Sequence, residues 1–143
     1  MDDELDQFVR NLQNQIYQDT KDAYGEAAFV RWLNPLNIGD MDNPDGHARL
    51  TGSCGDTMEI FLKFEDGLVT RSSFLTDGCG PSIACASFAA EMAVGKDPDE
   101  ILAITGDEIL EKLGGLPEDH RHCAFLAGKT LQEALHNYMV KWK

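Results

Sequence analysis

A change of hydrophobic period in the middle of the chain constrains the fold more than any other feature. Over residues 57–64 every second residue is apolar, which predicts a half-buried β-strand. Glu65-Asp66-Gly67 follows, and an Asp-Gly pair between two alternating segments predicts a hairpin into a second strand over residues 68–76. A short strand at residues 48–51 can pair with these two. The sequence therefore predicts a three-stranded antiparallel sheet.

Helical patterns lie on both sides of this sheet in the sequence. An apolar stripe at spacings of three and four predicts an amphipathic first helix that ends by Thr20, followed by a hinge at residues 19–22 and a second helix over 24–33. Further helices are expected over 81–94, after Asp97, after Thr105 and from about residue 118 to the end. The predicted fold class is α+β: a three-stranded antiparallel sheet with helices packed on it, and a metal or cluster site at one end. We expect an N-terminal helical extension at residues 1–22 and one domain over 23–143.

The charge of the chain limits its partners. Its 25 acidic and 12 basic residues give a net charge of -13, which repels nucleic acid and anionic lipid surfaces. A basic protein surface suits it better. The sequence has no apolar run long enough to span a membrane, and residues 1–6 carry neither a secretory nor a transit signal. We therefore expect a cytoplasmic protein whose four cysteines are thiols or metal ligands.

Three of these cysteines lie in positions that suit ligands. Cys54 and Cys79 are flanked by glycines in loops, and Cys79 directly precedes a predicted helix, where unpaired N-H groups favour a thiolate or an anionic ligand. Cys123 also lies near a helix start, beside His122. The spacing matches no paired zinc knuckle, so the fold itself would have to gather the ligands. Cys85, inside a helix of small residues, is assigned to the core.

A fourth ligand can come from either of two neighbouring residues. Asp56 follows Cys54 by two positions, and His122 precedes Cys123. Three thiolates with one carboxylate or imidazole suit either Zn(II) or a 2Fe-2S cluster, and ligand softness does not separate the two. His120 is interpreted as a surface residue or a hydrogen-bond donor at a helix start.

A series of short motifs then narrows the class of protein. In chain order these are Asn34-Pro-Leu-Asn-Ile-Gly39, Cys54-Gly-Asp56, Gly78-Cys79-Gly80 with Ser82-Ile-Ala84, Gly95-Lys96, Leu116-Pro117 and His122-Cys123. As an ordered set they resemble the IscU/NifU-type scaffold proteins of iron-sulfur cluster assembly, and the resemblance covers residues 24–138.

This resemblance implies both a function and a site. Cys54, Cys79 and Cys123 would bind a transient 2Fe-2S cluster, Asp56 would promote its release, and His122 would be an alternative fourth ligand. The protein would be an assembly scaffold and not an enzyme. It would accept sulfur from a cysteine desulfurase and iron from an iron donor, build the cluster de novo and pass it to acceptor apoproteins, with Zn(II) as an occupant of the apo-type site.

The chain also departs from the family pattern. Residues 116–120 lack the second proline and the Val-Lys of the segment that a DnaK-like chaperone grips in many relatives, which argues against that partner. Asp77 replaces a usual phenylalanine and puts another carboxylate beside Cys79. The N-terminal extension would pack on the domain or mediate self-association, so a homo-oligomer is a possible state.

The sequence also leaves two other functional hypotheses open. In the first, the protein is a sulfur-transfer protein that carries a persulfide on Cys123, with Zn(II) at the same site. In the second, it is a zinc-stabilised interaction module that would unfold when the metal is chelated.

Overall fold

The sheet has the predicted topology. In the computed structural model, which describes residues 2–33, 35–53 and 55–141, strands β1 (Gly46–Thr51), β2 (Thr57–Glu65) and β3 (Leu68–Thr76) pair antiparallel in the order β1-β2-β3. Both turn residues of the β2-β3 hairpin have positive φ, 55° at Asp66 and 81° at Gly67. This conformation is the one that a two-residue hairpin requires, which explains the Asp-Gly pair.

Helices precede and follow the sheet in the chain. Their bounds are α1 (Asp2–Tyr24), α2 (Glu26–Leu33), α3 (Gly80–Ala93), α4 (Pro98–Leu102), α5 (Gly106–Leu113) and α6 (Arg121–Lys141), with a 3-10 turn at Glu118–His120 directly before α6. The α+β class and the three-stranded antiparallel sheet are thereby confirmed. Asp97 begins α4 with a complete capping box to Glu100, whereas Thr105 accepts only the Glu108 amide at the start of α5.

The hinge predicted at residues 19–22 is wrong, because α1 continues through it to Tyr24. Two amide side chains bond to carboxylates one turn further along: Gln15 to Asp19 at 2.9 Å and Gln18 to Asp22 at 2.8 Å. Pairs at this spacing support a helix. The chain breaks instead at Gly25, which has φ 89°, so the second helix begins at Glu26 rather than at residue 24.

Helices α3 and α6 pack on the sheet and form the core with it. Along α3 small residues are buried on all sides, so this helix shows no polar stripe. Glycines allow α6 to approach the start of α5: a Cβ at Gly128 would lie 2.8 Å from the Gly106 nitrogen. The sheet and α6 contribute the large buried side chains Met58, Ile60, Leu62, Phe74, Leu131 and Leu135.

The two N-terminal helices differ in how they are held. On α2, Arg31 forms an ion pair with Glu91 of α3 and lies 4.2 Å from the centroid of the Phe88 ring. On α1, the apolar stripe is solvent-exposed in the structure, with exposed fractions of 51% to 64% at Leu5, Phe8, Val9 and Leu12. The expectation that this stripe packs on the domain is therefore wrong for these four side chains. Self-association and the division at residue 22 stay predictions.

No helix within the described part of the chain is long and apolar enough to cross a membrane.

Candidate metal centre

The first ligand loop joins β1 to β2 and carries Asp56. The Gly52 amide donates to the Asp56 carbonyl at 2.8 Å, and the Gly55 amide donates to the Gly52 carbonyl at 3.0 Å, which fold the loop tightly. Gly55 has φ 91°, a conformation that favours glycine. Asp56 is half-buried directly before β2. Cys54, predicted as a ligand, lies outside the described residues.

The second ligand loop joins β3 to α3 and carries Cys79. This residue is the N-cap of α3 with an extended backbone, and its side chain makes no capping hydrogen bond. Its thiol is exposed and forms no disulfide. Gly78 before it is required by space, because a Cβ there would lie 2.6 Å from Ser82 Oγ and 2.9 Å from Asp56 Oδ2. The glycine thus lets the two loops approach each other.

The third ligand segment is the first turn of α6. Cys123 has no solvent-exposed surface, and its Sγ lies 3.6 Å from His122 Nε2. Helix α6 packs against α3 and both β1 and β2. This packing brings the start of α6 beside the start of α3, so two thiols meet at the positive ends of two helix dipoles, which favour anionic ligands.

Ser82 links the three segments, and the sequence reasoning did not weigh it. Its Oγ lies 3.0 Å from Asp56 Oδ2, 3.3 Å from Cys123 Sγ and 3.8 Å from Cys79 Sγ. The side chain is fully buried. The available signal was its position three residues after Cys79, which puts it in the first turn of α3.

Among the described residues, donor atoms form two groups that share Cys123. The Asp56 group consists of Asp56, His122 and Cys123, and the Cys79 group consists of Cys79, His120 and Cys123. Within each group the donor atoms lie within 4.8 Å of one another. The sequence interpretation of His120 missed its proximity to Cys79 and Cys123. The position of its ring depends on the 3-10 turn before α6, which the sequence pattern did not predict. The four described residues of the predicted site are thereby brought together with a fifth donor.

The remaining described cysteine and the described histidines outside the two groups lie elsewhere, and for Cys85 this agrees with the sequence assignment. Cys85 is buried in the core, and this burial raises the pKa of its thiol well above the usual value, with charge on Cys123 and Cys79 adding to the effect. His47 contacts Glu59 across the sheet at 2.7 Å and stacks on Phe61. These groups are structural rather than part of the donor set.

Asp77 does not join either donor group. Its Oδ1 accepts the Thr57 amide at 2.7 Å, and its own amide donates to the Thr57 carbonyl at 3.3 Å. The Asp77 carboxylate thus links the end of β3 to the start of β2 by a hydrogen bond.

A cleft of about 310 Å³ opens beside the donors. It is lined on one side by residues 50–53 and on the other by His122, Phe125, Leu126 and Lys129 of α6. His122 is the member of the Asp56 group that lines this cleft, so solvent and a partner have a route to that group at His122.

The fold and the donors define a class: a small α+β domain that carries thiol, imidazole and carboxylate groups able to hold a metal at one end. The chain belongs to the family described as the NifU-like N terminal domain, which matches residues 23–143. The resemblance inferred from the motifs is thereby confirmed.

Named relatives agree with this membership. The chain is 40% identical over 119 residues to the iron-sulfur cluster assembly scaffold protein IscU 1 of Archaeoglobus fulgidus, covering 82% of this chain and 78% of that protein. It is 36% identical over 124 residues to the scaffold protein IscU of Escherichia coli K12, covering 83% and 96%. These relatives are named as scaffold proteins, in agreement with the prediction of a scaffold and not an enzyme.

A solved structure supports the fold alone. The N-terminal NifU-like protein from Brucella abortus superposes with a TM-score of 0.68 at 23% identity, covering 85% of this chain and 98% of that one.

Proposed function

We propose that this chain is a scaffold on which an iron-sulfur cluster is assembled and from which it is transferred to acceptor apoproteins. The observation that carries the proposal is that donors from three separate segments meet at one hydroxyl. Ser82 Oγ contacts Asp56, Cys79 and Cys123. His122 joins them through its contact with Cys123 Sγ. Membership of a family whose named relatives are such scaffolds supports the same function.

The proposed ligands are Cys54, Cys79 and Cys123, with Asp56 or His122 as the fourth. Cys54 follows Ser53 at the edge of the cleft and precedes Asp56 by two residues. Three thiolates with one oxygen or nitrogen donor fit a 2Fe-2S cluster, and the same donors fit Zn(II) when no cluster is present.

Release of the cluster is assigned to Asp56. A carboxylate is a harder and more exchangeable ligand to iron than a thiolate, so an acceptor's thiolate can enter at that position. The cleft lined by His122 supports this assignment, because it gives an acceptor access to the donor group that contains Asp56.

The proposed partners follow from these roles. They are a cysteine desulfurase, an iron donor and acceptor apoproteins, in the cytoplasm. A net charge of -13 favours partners that present a basic surface and disfavours nucleic acid and anionic membranes.

Anaerobic reconstitution with ferrous iron and sulfide tests this function. We expect Cys54→Ala, Cys79→Ala and Cys123→Ala each to lose most of the visible absorption of the cluster, and Cys85→Ala, a matched control in the core, to keep it. Asp56→Ala should make the cluster more persistent towards an apoprotein acceptor. Full cluster content in all three ligand variants would refute the scaffold function.

Sulfur transfer is the second candidate, and exposure of Cys79 favours it. A thiolate must be accessible to accept sulfur from a donor protein. Cys123 is fully buried whereas Cys79 is exposed, so the structure favours Cys79 as the first persulfide carrier. Mass spectrometry after incubation with a desulfurase and cysteine separates the two functions, because a persulfide that never leads to a cluster supports sulfur transfer.

A further inference from the structure

The Cys79 group is a second set of donors within the candidate metal centre. Its three members are Cys79, His120 and Cys123, and only His120 lies outside the ligand set proposed above. The Cys79 group shares only Cys123 with the Asp56 group. His120 is therefore the donor that is new in the Cys79 group.

The distances in the Cys79 group are close to those of a bound metal. Tetrahedral zinc with Zn-S bonds of about 2.3 Å and Zn-N bonds of about 2.0 Å separates two sulfurs by about 3.8 Å and a sulfur from a nitrogen by about 3.5 Å. Because the donor atoms all lie within 4.8 Å of one another, each pair needs to close by at most about 1 Å to reach those values. Side-chain rotation alone supplies such a movement.

Local structure fixes His120 in this position. The residue ends the 3-10 turn Glu118–His120, and its amide donates to the Pro117 carbonyl at 2.9 Å. Residues three positions apart in such a turn lie on one side of it, so His120 and Cys123 face the same way. His120 is half-buried, and its ring centroid lies 6.4 Å from that of His122.

The chemistry of the two groups differs. The Cys79 group offers two thiolates and one imidazole, whereas the Asp56 group offers one thiolate, one imidazole and one carboxylate. Soft thiolate and imidazole donors favour zinc and ferrous iron, and a carboxylate favours harder cations. A single divalent ion of the zinc or ferrous type should therefore prefer the Cys79 group.

We propose that His120 is a metal ligand, and that with Cys79 and Cys123 it forms a site for one zinc-type or ferrous ion before sulfur arrives. Occupation of this site uses neither Asp56 nor His122, and His122 lines the cleft. The metal site stands on the donor geometry alone, and only its use as an entry point for iron rests on the proposed function.

Anaerobic titration with Co(II), as a spectroscopic substitute for Zn(II), tests this site. The titration uses the full chain with Cys54→Ser, so that only donors described by the structure can bind. We expect charge-transfer absorption of two Co-S bonds, and His120→Ala should weaken Co(II) binding by on the order of tenfold or more. His136→Ala, an exposed histidine further along α6, is the matched control and should bind as the parent chain does.

A replacement ligand separates coordination from a structural role. In the same background His120→Cys should restore binding and raise the charge-transfer intensity to that of three Co-S bonds, which no packing effect would produce. His122→Ala should retain the absorption of two Co-S bonds.

The opposite pattern would overturn the proposal: parent-like Co(II) affinity in His120→Ala, with loss of binding in His122→Ala. Because this titration contains no sulfide, its failure leaves the scaffold function standing if reconstitution succeeds. Conversely, failed reconstitution with a normal titration removes the scaffold function and keeps the metal site.

Discussion

Ser82 has one hydroxyl proton and three partners within reach: Asp56 Oδ2 at 3.0 Å, Cys123 Sγ at 3.3 Å and Cys79 Sγ at 3.8 Å. A hydroxyl can donate to one of them while accepting from a thiol. Mutation of residues that orient metal ligands in this way commonly lowers metal affinity by about 10- to 100-fold. We therefore expect Ser82 to hold the donors in position in the metal-free protein.

Replacement of Ser82 by alanine tests this positioning role. We expect Ser82→Ala to weaken Zn(II) binding by on the order of tenfold and to lower the free energy of unfolding of the apo chain by about 1 kcal/mol. The two quantities are measured by competition with a chromophoric chelator and by urea denaturation.

Ser87→Ala provides the matched control, because Ser87 is also fully buried on α3 but bonds to the Leu36 backbone away from the donors. We expect Ser87→Ala to lower the free energy of unfolding by about as much as Ser82→Ala does. Its Zn(II) affinity should equal that of the parent chain. Equal affinities in the two variants would contradict the role of Ser82.

Cys85 should behave as an inert thiol. Burial raises its pKa well above the usual value, so it stays protonated when accessible thiols ionise at about pH 8.5. We expect iodoacetamide to label exposed Cys79 in the native protein at about pH 8.5 while Cys85 stays unlabelled until urea is added, as measured by peptide mass spectrometry. Labelling of native Cys85 at the rate of Cys79 would show that the core is not closed around it.

Two glycines in the ligand loops have different spatial requirements. At Gly78 an added Cβ would lie 2.6 Å from both Cβ and Oγ of Ser82 and 2.9 Å from Asp56 Oδ2. At Gly52 it would meet only the tip of the Leu126 side chain, at 3.2 Å. A flexible leucine tip can move aside, whereas Ser82 is held at the start of a helix.

We therefore expect Gly78→Ala to cost about 1 to 3 kcal/mol of stability and Gly52→Ala to cost less. Gly78→Ala should also displace Ser82 from Asp56 and lower Zn(II) affinity. Thermal or urea denaturation and metal titration of both variants provide the measurement, and a more harmful effect at Gly52 would contradict this account of how the loops meet.

At the scale of the whole molecule, α1 contributes little to the core. Leu5, Phe8, Val9 and Leu12 are more than half exposed. We expect removal of residues 1–22 to change the free energy of unfolding of the rest by less than about 1 kcal/mol, since exposed positions contribute little to stability. Urea denaturation measures this change, and Zn(II) binding should be preserved. A large loss of stability would mean that the extension belongs to the folded domain.

Much of the fold was predictable because its signals are local. The period of two over residues 57–64 and the Asp-Gly turn predicted β2, β3 and their hairpin, and strand bounds agreed to within two residues. The predicted hinge at residues 19–22 failed because polar side chains that suggest a turn were instead paired one helical turn apart on α1.

The candidate site was predictable only in part. Glycine-flanked cysteines and the motif order identified Cys79, Cys123, Asp56 and His122, since these signals are carried by sequence neighbours. Ser82 and His120 were missed, because a serine in a small-residue helix and a histidine before a helix have many ordinary roles. Their importance depends on distances between residues far apart in the chain.

The sequence by itself determined most of the secondary structure, the family and most of the candidate donor residues, because periodicity, turn chemistry and ordered motifs are read along the chain. Only the tertiary structure decided which donors share one space. Packing of α3 and α6 on the sheet brings two helix starts together, with Ser82 between Asp56 and Cys123 and with His120 beside Cys79. Such proximity arises from packing between elements, and no local pattern encodes it.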